Sequence, residues 1–412
     1  MQILHFAFAV SKQSASFRIH NGLLKAGINS KLVVASKSIV RKEIYQPNTW
    51  LDKILALLPV VNEYLLKKVF RVTSHVYFSV NKYQSVFHRL WFRKSNNTNR
   101  DITHLHWVGN GFITLGNLRK IKGPIVVTLH DMWFITGGCH VNLECSNYLN
   151  DCRTCPRVRN SIMGHNVIKW SFQDKKKFFG SGRVEVVVLS TWMQELALQS
   201  PILNGVKVHL IPNGIDQNRF KPINRIEARR LFNFDIEDSL ILFGGISALS
   251  DHNKGFDLLK SAIKNFRGNR NNLKLITFGS PRFDLEHIDG VPTINVGILQ
   301  DEESISALYS AVNVVAVPSR QESFSQICAE SISCGTPVIA FNHSGPKDII
   351  SHKQTGYLAR PYDVLEFAQG LEWLIGQDLR KACKQSALVK FDLDKIAKKH
   401  IDVYENILMV NS

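Results

Sequence analysis

The stretch Val312-Asn313-Val314-Val315-Ala316-Val317-Pro318-Ser319-Arg320-Gln321-Glu322-Ser323-Phe324-Ser325-Gln326-Ile327-Cys328-Ala329-Glu330 reads as a buried strand, a loop and the opening of a helix. The β-branched run 312–317 stops at Pro318, and Ile327, Ala329, Ile332 and Cys334 then recur at mixed helical spacing until Gly335-Thr336-Pro337. Glu322 therefore falls in the loop and Glu330 inside the helix. The amides of Ser323 to Gln326 form a helix N-terminus, which carries partial positive charge and N–H donors suited to a phosphate or a polar sugar. A carboxylate on either side of that point can accept hydrogen bonds from sugar hydroxyls. Two acidic residues alone would more simply be a solvated loop Glu and a surface helical Glu. Their neighbours decide otherwise.

Downstream come a second apolar run, Pro337-Val338-Ile339-Ala340-Phe341, then Asn342-His343-Ser344-Gly345-Pro346-Lys347-Asp348-Ile349-Ile350, then Thr355-Gly356-Tyr357-Leu358. Upstream, the N-terminal half alternates short apolar runs at 3–9, 31–35, 103–107, 125–129, 184–189 and 206–211 with longer amphipathic stretches. The C-terminal half repeats the rhythm at 240–243, 273–278, 293–296, 312–317 and 338–341. Strands separated by helical stretches imply parallel sheets with helices on both faces, hence two doubly wound α/β domains. In such sheets ligands bind beyond the carboxyl ends of strands, where 128–131, Gly244-Gly245, Gly279-Ser280 and 320–324 all fall. The boundary belongs near Pro212-Asn213-Gly214, a turn-forming stretch.

The ordered series from Glu322 to Leu358 closely resembles the C-terminal half of group 1 glycosyltransferases, the retaining GT-B family with a Glu-x7-Glu signature followed by Cys-Gly-Thr-Pro-Val, here Cys334 to Val338. The resemblance spans nearly the whole chain. Thr128-Leu129-His130-Asp131 is similar to the family's Thr-x-His segment, Ile211 to Asp216 to its Pro-Asn-Gly-x-Asp linker, and Asn253-Lys254-Gly255-Phe256 to its Arg-Lys-Gly phosphate site. Asp131-Met132-Trp133-Phe134 to Gly137-Gly138-Cys139, with the later cysteines, looks most like the colanic-acid-biosynthesis subgroup.

This resemblance implies a GT-B fold, two Rossmann-like doubly wound domains facing a central cleft. Residues 1–212 would form a basic, membrane-facing, acceptor-binding domain, 213–391 a nucleotide-sugar-binding domain, and 392–412 a helix crossing back to the first. By the same resemblance Glu322 contacts the transferred sugar and Glu330 holds the ribose hydroxyls. His130 hydrogen-bonds the sugar from the acceptor side, with Asp131 orienting its imidazole or binding acceptor hydroxyls. Lys254 meets the phosphates as a point charge. Gly245, Ser323, Phe324 and Ser325 line the donor site.

The chain departs from the pattern in two places. The Arg that normally follows the glycine loop is absent, since Gly245 is followed by Ile246-Ser247, and the Arg before the Lys is Asn253. Arg320, Arg282 and His252 are the candidates to replace that charge. Where the family has Gly-Gly near the N-terminus, this chain has Ser11-Lys12-Gln13-Ser14-Ala15-Ser16, so a side chain such as Lys12 or Ser14 takes the place of a close backbone approach.

No Asp-x-Asp ends a strand. Asp392-Leu393-Asp394 lies at a helix start instead. This absence and the GT-B resemblance both imply metal-independent transfer, and by the resemblance the acceptor attacks on the same face with the departing phosphate helping to take its proton. Cys139, Cys145, Cys152 and Cys155 lie in one 17-residue segment with spacings x5, x6 and x2. They are either the four ligands of a structural zinc or buried thiols, disulfides being disfavoured in a cytoplasmic chain. Cys328, Cys334 and Cys383 read as helix-packing residues.

With 412 residues, 44% of them hydrophobic, the chain has material for two domains with their own cores. No apolar run reaches the roughly 18 to 20 residues of a membrane-spanning helix. The run 3–10 lacks a basic flank and leads into a helical pattern at 14–25, so it reads as the first buried strand of a cytoplasmic protein rather than a signal peptide. The net charge of +17 is concentrated: residues 1–215 hold 28 Lys and Arg against 10 Asp and Glu, and residues 216–412 hold 23 against 24. Residues 41–100 interleave 11 basic side chains with Trp50, Phe70, Tyr77, Phe78, Tyr83, Phe87, Trp91 and Phe92. This is either a surface for anionic lipid at the inner face of the cytoplasmic membrane or a solvated helical face over an ordinary core. Nucleic acid is not the expected partner, for no zinc-finger spacing, RNP-like aromatic motif or basic zipper accompanies the charge. The expected partners are a nucleotide-sugar and a lipid-linked or growing polysaccharide acceptor. The alternative is a catalytically degenerate GT-B protein that binds sugar nucleotide or serves as a scaffold.

Overall fold

The computed structural model describes residues 1–37, 39–46, 50–72, 76–78, 99–158, 162–281 and 287–411, the side chains of 37, 51–59 and 411 excepted. The chain forms two compact units, Met1–Ile211 with Ile396–Ser412, and Pro212–Lys395.

The first unit is built on β1 (Gln2–Val10), β2 (Asn29–Lys37), β3 (Ile44–Tyr45), β4 (Ile102–Leu105), β5 (Ile125–Leu129), β6 (Val184–Val188) and β7 (Val208–Leu210), in the order β3-β2-β1-β4-β5-β6-β7. Every pair is parallel. The order runs outward in both directions from β1 and β4, so their carboxyl ends diverge and leave the crevice typical of doubly wound sheets. β4 and β5 are buried at every residue, because helices cover both faces. On one face Ile3, Ile19, Leu23, Ile102 and Val126 pack with Ile396, Ile401, Tyr404 and Ile407 of the last helix, Leu393–Asn411. Burial of each such side chain stabilises by about 1.5–3 kcal/mol.

The second unit uses β8 (Ser239–Gly244), β9 (Leu273–Phe278), β10 (His287–Ile288), β11 (Val291–Asn295), β12 (Val314–Val317), β13 (Val338–Phe341) and β14 (Gly356–Ala359), ordered β10-β11-β9-β8-β12-β13-β14. All pairs are parallel except β10 with β11. Here the switch lies between β8 and β12. The chain leaving β8 and the chain leaving β12 therefore meet at one end of the sheet.

Several expected strands are shorter in the structure. The run 103–107 becomes Ile102–Leu105, 206–211 becomes Val208–Leu210, and 312–317 begins only at Val314. Strands β3, β10 and β14 were not foreseen. The first two are two-residue edge pairings without a periodic pattern, and Gly356 at the head of β14 hides a strand because a Cβ there would stand 2.0 Å from the Val338 carbonyl oxygen.

Candidate functional site

In the second unit, the chain after β8 turns at Gly245 (φ +121°) and reaches a short 3-10 turn, His252–Lys254, capped by Asp251 through its carboxylate and the Asn253 N–H (2.9 Å). Gly255 follows at φ +73°, and a Cβ there would lie 2.0 Å from the Pro318 carbonyl oxygen. Only glycine permits this close approach of the turn to the end of β12. The loop after β12 is stitched to that turn. Asn253 Nδ2 donates to the Gln321 carbonyl (2.8 Å), its Oδ1 accepts from the Gln321 N–H (3.1 Å), and the Arg320 N–H donates to the Asn253 carbonyl (2.8 Å).

Glu322 is held by this frame. Its Oε1 accepts from Lys254 Nζ (2.8 Å) and Ser319 Oγ (2.9 Å), its N–H donates to Ser344 Oγ (3.2 Å), and its carbonyl accepts from the Gly345 N–H (2.7 Å). The Glu322 carboxylate raises the Lys254 pKa above 10.5 against the opposing effect of burial, so the ammonium stays charged. Glu330 sits buried in the helix Gln326–Ser333 and accepts from the Tyr309 hydroxyl (3.1 Å). Between the two carboxylates the helix begins at Ser325, a non-glycine residue at φ +84° without a side-chain cap. Its first-turn N–H groups have no carbonyl one turn earlier within the helix. A left-handed serine at a helix start next to paired charges is the kind of local strain that functional sites retain. Ser323 is half-buried beside it.

Two expectations need correction here. Arg320 does not supply a spare cation, because its guanidinium grips Asp257 in a two-pronged pair (3.0 and 2.7 Å) and donates to the His252 carbonyl (2.6 Å). That guanidinium holds the Asp257 carboxyl below its usual range. Phe324 is a core residue whose ring packs edge-on against Phe391 (5.7 Å), so any contact with a ligand falls to its backbone. Asn253, where the family has a phosphate-binding Arg, is buried and fastens one loop to the other. Ile246, in place of the second Arg, is exposed. Arg282 lies outside the described residues.

In the first unit, Ser14 precedes the helix Ala15–Lys25 and its hydroxyl donates to the Ser11 carbonyl (2.9 Å). Lys12 is exposed. His130 follows β5 and is half-buried. Asp131 does not orient it. The Asp131 Oδ1 accepts from the Trp133 N–H (2.7 Å), and burial lifts this carboxyl to about 7. The partner of His130 is another imidazole, His106 (Nε2 to Nδ1, 2.9 Å), and burial lowers the His130 pKa to about 4. Sequence reasoning passed over His106. Its signal was the alternation His104-x-His106 in a strand, which puts both rings on one face of the sheet.

The four-cysteine zinc site is not assembled. Cys139 and Cys155 hydrogen-bond each other, which lowers Cys155 to about 6 and raises Cys139; Cys152 Sγ accepts from the Gly137 N–H (3.3 Å). Among the described residues, no three of these sulfurs lie within 4.8 Å of one another. Cys152 and Cys155 instead sit in the hydrophobic core with Val158 and Ile168.

The aromatics of residues 41–100 divide. Phe70 and Phe78 are core residues and Tyr77 is half-buried, whereas Trp50 is exposed. Tyr83, Phe87, Trp91 and Phe92 lie outside the described residues. The helix Trp50–Val69 also exposes Val61, Tyr64, Leu65 and Val69. Among the described residues no helix is long and apolar enough to cross a membrane.

Residues 233–389, almost the whole second unit, match the family described as Glycosyl transferases group 1. The match lies within the second unit alone. Curated relatives include the D-inositol 3-phosphate glycosyltransferases of Xylanimonas cellulosilytica (29% identical over 218 residues, 48% of this chain and 51% of the relative) and Acidothermus cellulolyticus (25% over 335 residues, 75% and 67%). The chain thus spans about half the length of the first and about two thirds of the second. Among solved structures, the sucrose-phosphate synthase of Thermosynechococcus elongatus superposes with a TM-score of 0.68 at 17% identity, covering 100% of both chains. Anabaena Alr3699/HepE, solved in complex with UDP-glucose, gives 0.64 at 14% identity over 98% of this chain and 100% of that one. At these identities the likeness is one of fold, GT-B with two Rossmann-like parallel-sheet domains. The matched family and these curated relatives are glycosyltransferases by name.

Proposed function

We propose that this protein is a retaining, metal-independent glycosyltransferase, of the colanic-acid-biosynthesis type, that moves a sugar from a nucleotide-sugar to a lipid-linked or growing polysaccharide acceptor at the inner face of the cytoplasmic membrane. The observation that carries the reading is the pair Glu322 and Glu330, which bracket the start of the Gln326–Ser333 helix where β8 and β12 diverge, with Lys254 Nζ 2.8 Å from Glu322. Group 1 membership of the surrounding segment and a GT-B neighbour solved with UDP-glucose support a nucleotide-sugar as the donor.

The chemistry follows from these groups. As the bond between the anomeric carbon and the diphosphate oxygen breaks, negative charge grows on the diphosphate, and Lys254 with the helix N-terminal amides stabilises it. Glu322, clamped from four sides, orients the sugar hydroxyls; Glu330 accepts from the ribose. The acceptor hydroxyl attacks from the face the diphosphate leaves, and its proton passes to a departing phosphate oxygen. His130 donates to a sugar hydroxyl, and the Ser14 hydroxyl turns from the Ser11 carbonyl to donate to a phosphate oxygen. The exposed apolar residues of the helix Trp50–Val69, beside Lys67 and Lys68, support a surface for anionic lipid.

The test is the anomeric configuration of the product released from a nucleotide-sugar, followed by NMR, in the wild type and in Glu322→Ala. The reading predicts the donor's configuration in the product and loss of turnover in the variant. An inverted product, or full turnover without Glu322, would overturn it.

A further inference from the structure

Six histidines gather in the first unit. His5 lies on β1, His104 and His106 at β4, His130 after β5, His20 on the helix Ala15–Lys25 and His400 on the last helix. Strand register sets His5 opposite His104. Three of the rings are joined in series: His5 Nδ1 meets His106 Nε2 at 2.9 Å, and His106 Nδ1 meets His130 Nε2 at 2.9 Å. His104 stands beside this series but is bonded elsewhere, to the Tyr404 hydroxyl (2.7 Å) and the Thr128 hydroxyl (2.7 Å).

A nitrogen-to-nitrogen hydrogen bond holds one proton, and a neutral imidazole has one N–H, so the series must run in a single direction. Its far end decides which. His5 Nε2 is buried and has no hydrogen-bond partner among the described residues. A buried N–H without an acceptor is among the rarest defects of folded proteins, and a bare lone pair costs less. His5 therefore keeps its proton on Nδ1 and donates to His106 Nε2. His106 then carries its proton on Nδ1 and donates to His130 Nε2. We infer that His5 and His106 are positioning residues that fix His130 as the Nδ1–H tautomer, so that this ring can only donate from Nδ1 to a ligand. The inference rests on the proposed role of His130 for its functional meaning, and on the geometry alone for the tautomer.

Burial keeps the series neutral: His5 and His106 are pushed well below 6.5, first by desolvation and then by neighbouring rings, and His130 to about 4. A ligand atom from each of His5, His104 and His106 lies within 4.8 Å of the other two, the spacing of a metal site. Against that reading, both nitrogens of His104 and both of His106 already have partners. The surroundings are the apolar cluster of Ile3, Ile102 and Tyr404, and the charged forms of the rings would repel one another. A divalent charge buried there would lack a counter-charge to offset its desolvation.

The experiment is long-range proton–nitrogen NMR on protein labelled in its histidine rings, with His130→Gln assigning the His130 signals, together with elemental analysis for bound metal. The inference predicts a protonated Nδ1 and bare Nε2 on His130 at pH 7, and mixed or reversed protonation in His5→Phe. Turnover in His5→Phe should fall at least several-fold in kcat with KM little changed, and His5→Gln, whose amide can again donate, should restore part of it. A protonated Nε2 on wild-type His130 overturns the inference even if the His5 variants do not fold, as does a stoichiometric metal lost in His104→Gln. If His130→Gln leaves turnover intact while the wild-type tautomer is as predicted, the role given to His130 fails and the series of rings stands.

Discussion

Replacing Asn253 by Ala removes the two side-chain hydrogen bonds by which Asn253, in the turn after β8, holds Gln321 in the loop after β12. Asn253 and Gln321 are both buried, so the Gln321 N–H and carbonyl lose their partner where water does not readily substitute. A buried polar group left bare costs about 1–3 kcal/mol, which puts Asn253→Ala at about 2–4 kcal/mol for the pair. The loss falls on the frame that carries Glu322, three residues before the helix-opening Ser325, so donor binding should weaken together with stability. Asn253→Asp retains an acceptor for the Gln321 N–H but faces the Gln321 carbonyl with a carboxylate, and should be no better than Ala. Restoring the family residue with Asn253→Arg should also destabilise, because the guanidinium would enter a buried space that an amide fills. Urea unfolding with the three variants, read alongside hydrogen exchange across residues 319–324, measures both effects. An Asn253→Ala protein within about 0.5 kcal/mol of wild type, with unchanged exchange in that loop, would refute the reasoning, since surface substitutions already span that range.

Lys254→Met leaves the half-buried Glu322 carboxylate without its cation; we expect a loss of about 1–3 kcal/mol and no stabilisation by nucleotide, read by thermal unfolding with and without ligand. Gly255→Ala forces a Cβ to 2.0 Å from the Pro318 oxygen at φ +73°, so it should cost about 2 kcal/mol or more and lower soluble yield. Acid should unfold the first unit early: burial lowers His20 and His130 to about 4 and His400 to about 3 from 6.5. Their contribution is complete above pH 6.5 and is lost as pH falls toward 4, because the unfolded chain binds protons that the fold refuses. At pH 5 each withdraws about 2 kcal/mol. Asp131, raised to about 7, works the other way and returns about 2.5 kcal/mol over the same interval. For these four groups the net fall from pH 7.5 to pH 5 is about 3.5 kcal/mol, to which His5, His104 and His106, held below 6.5 by burial, add in the same direction, and a flat urea midpoint over that range would contradict the neutral histidine cluster.

What could be seen in the sequence was whatever is written locally. The Val and Ile runs of β5, β9 and β13 declare buried parallel strands, and each appears with the expected bounds. The Glu322 to Glu330 spacing likewise placed one carboxylate in a loop and the other in a helix. Pairings across long separations were hidden. Arg320 finds Asp257, 63 residues earlier, and nothing around Arg320 distinguishes a spare cation from a paired one. Asn253 reads as a lost charge until its bond to Gln321, 68 residues on, is seen. His5 and His106 stand 101 residues apart, and only the adjacency of β1 and β4 brings them into contact. For the cysteines, which the sequence left as zinc ligands or buried thiols, close spacing paired Cys139 with Cys155 but, among the described residues, brought no three sulfurs within 4.8 Å.

The central claim, a donor site at the ends of β8 and β12, is tested most directly by thermal unfolding with UDP, GDP, ADP and CMP, each with and without magnesium, in the wild type and in Glu330→Ala. The account predicts stabilisation by one nucleotide, independent of magnesium and lost in the variant. No stabilisation by any of them, or a shift that survives Glu330→Ala undiminished, would contradict it.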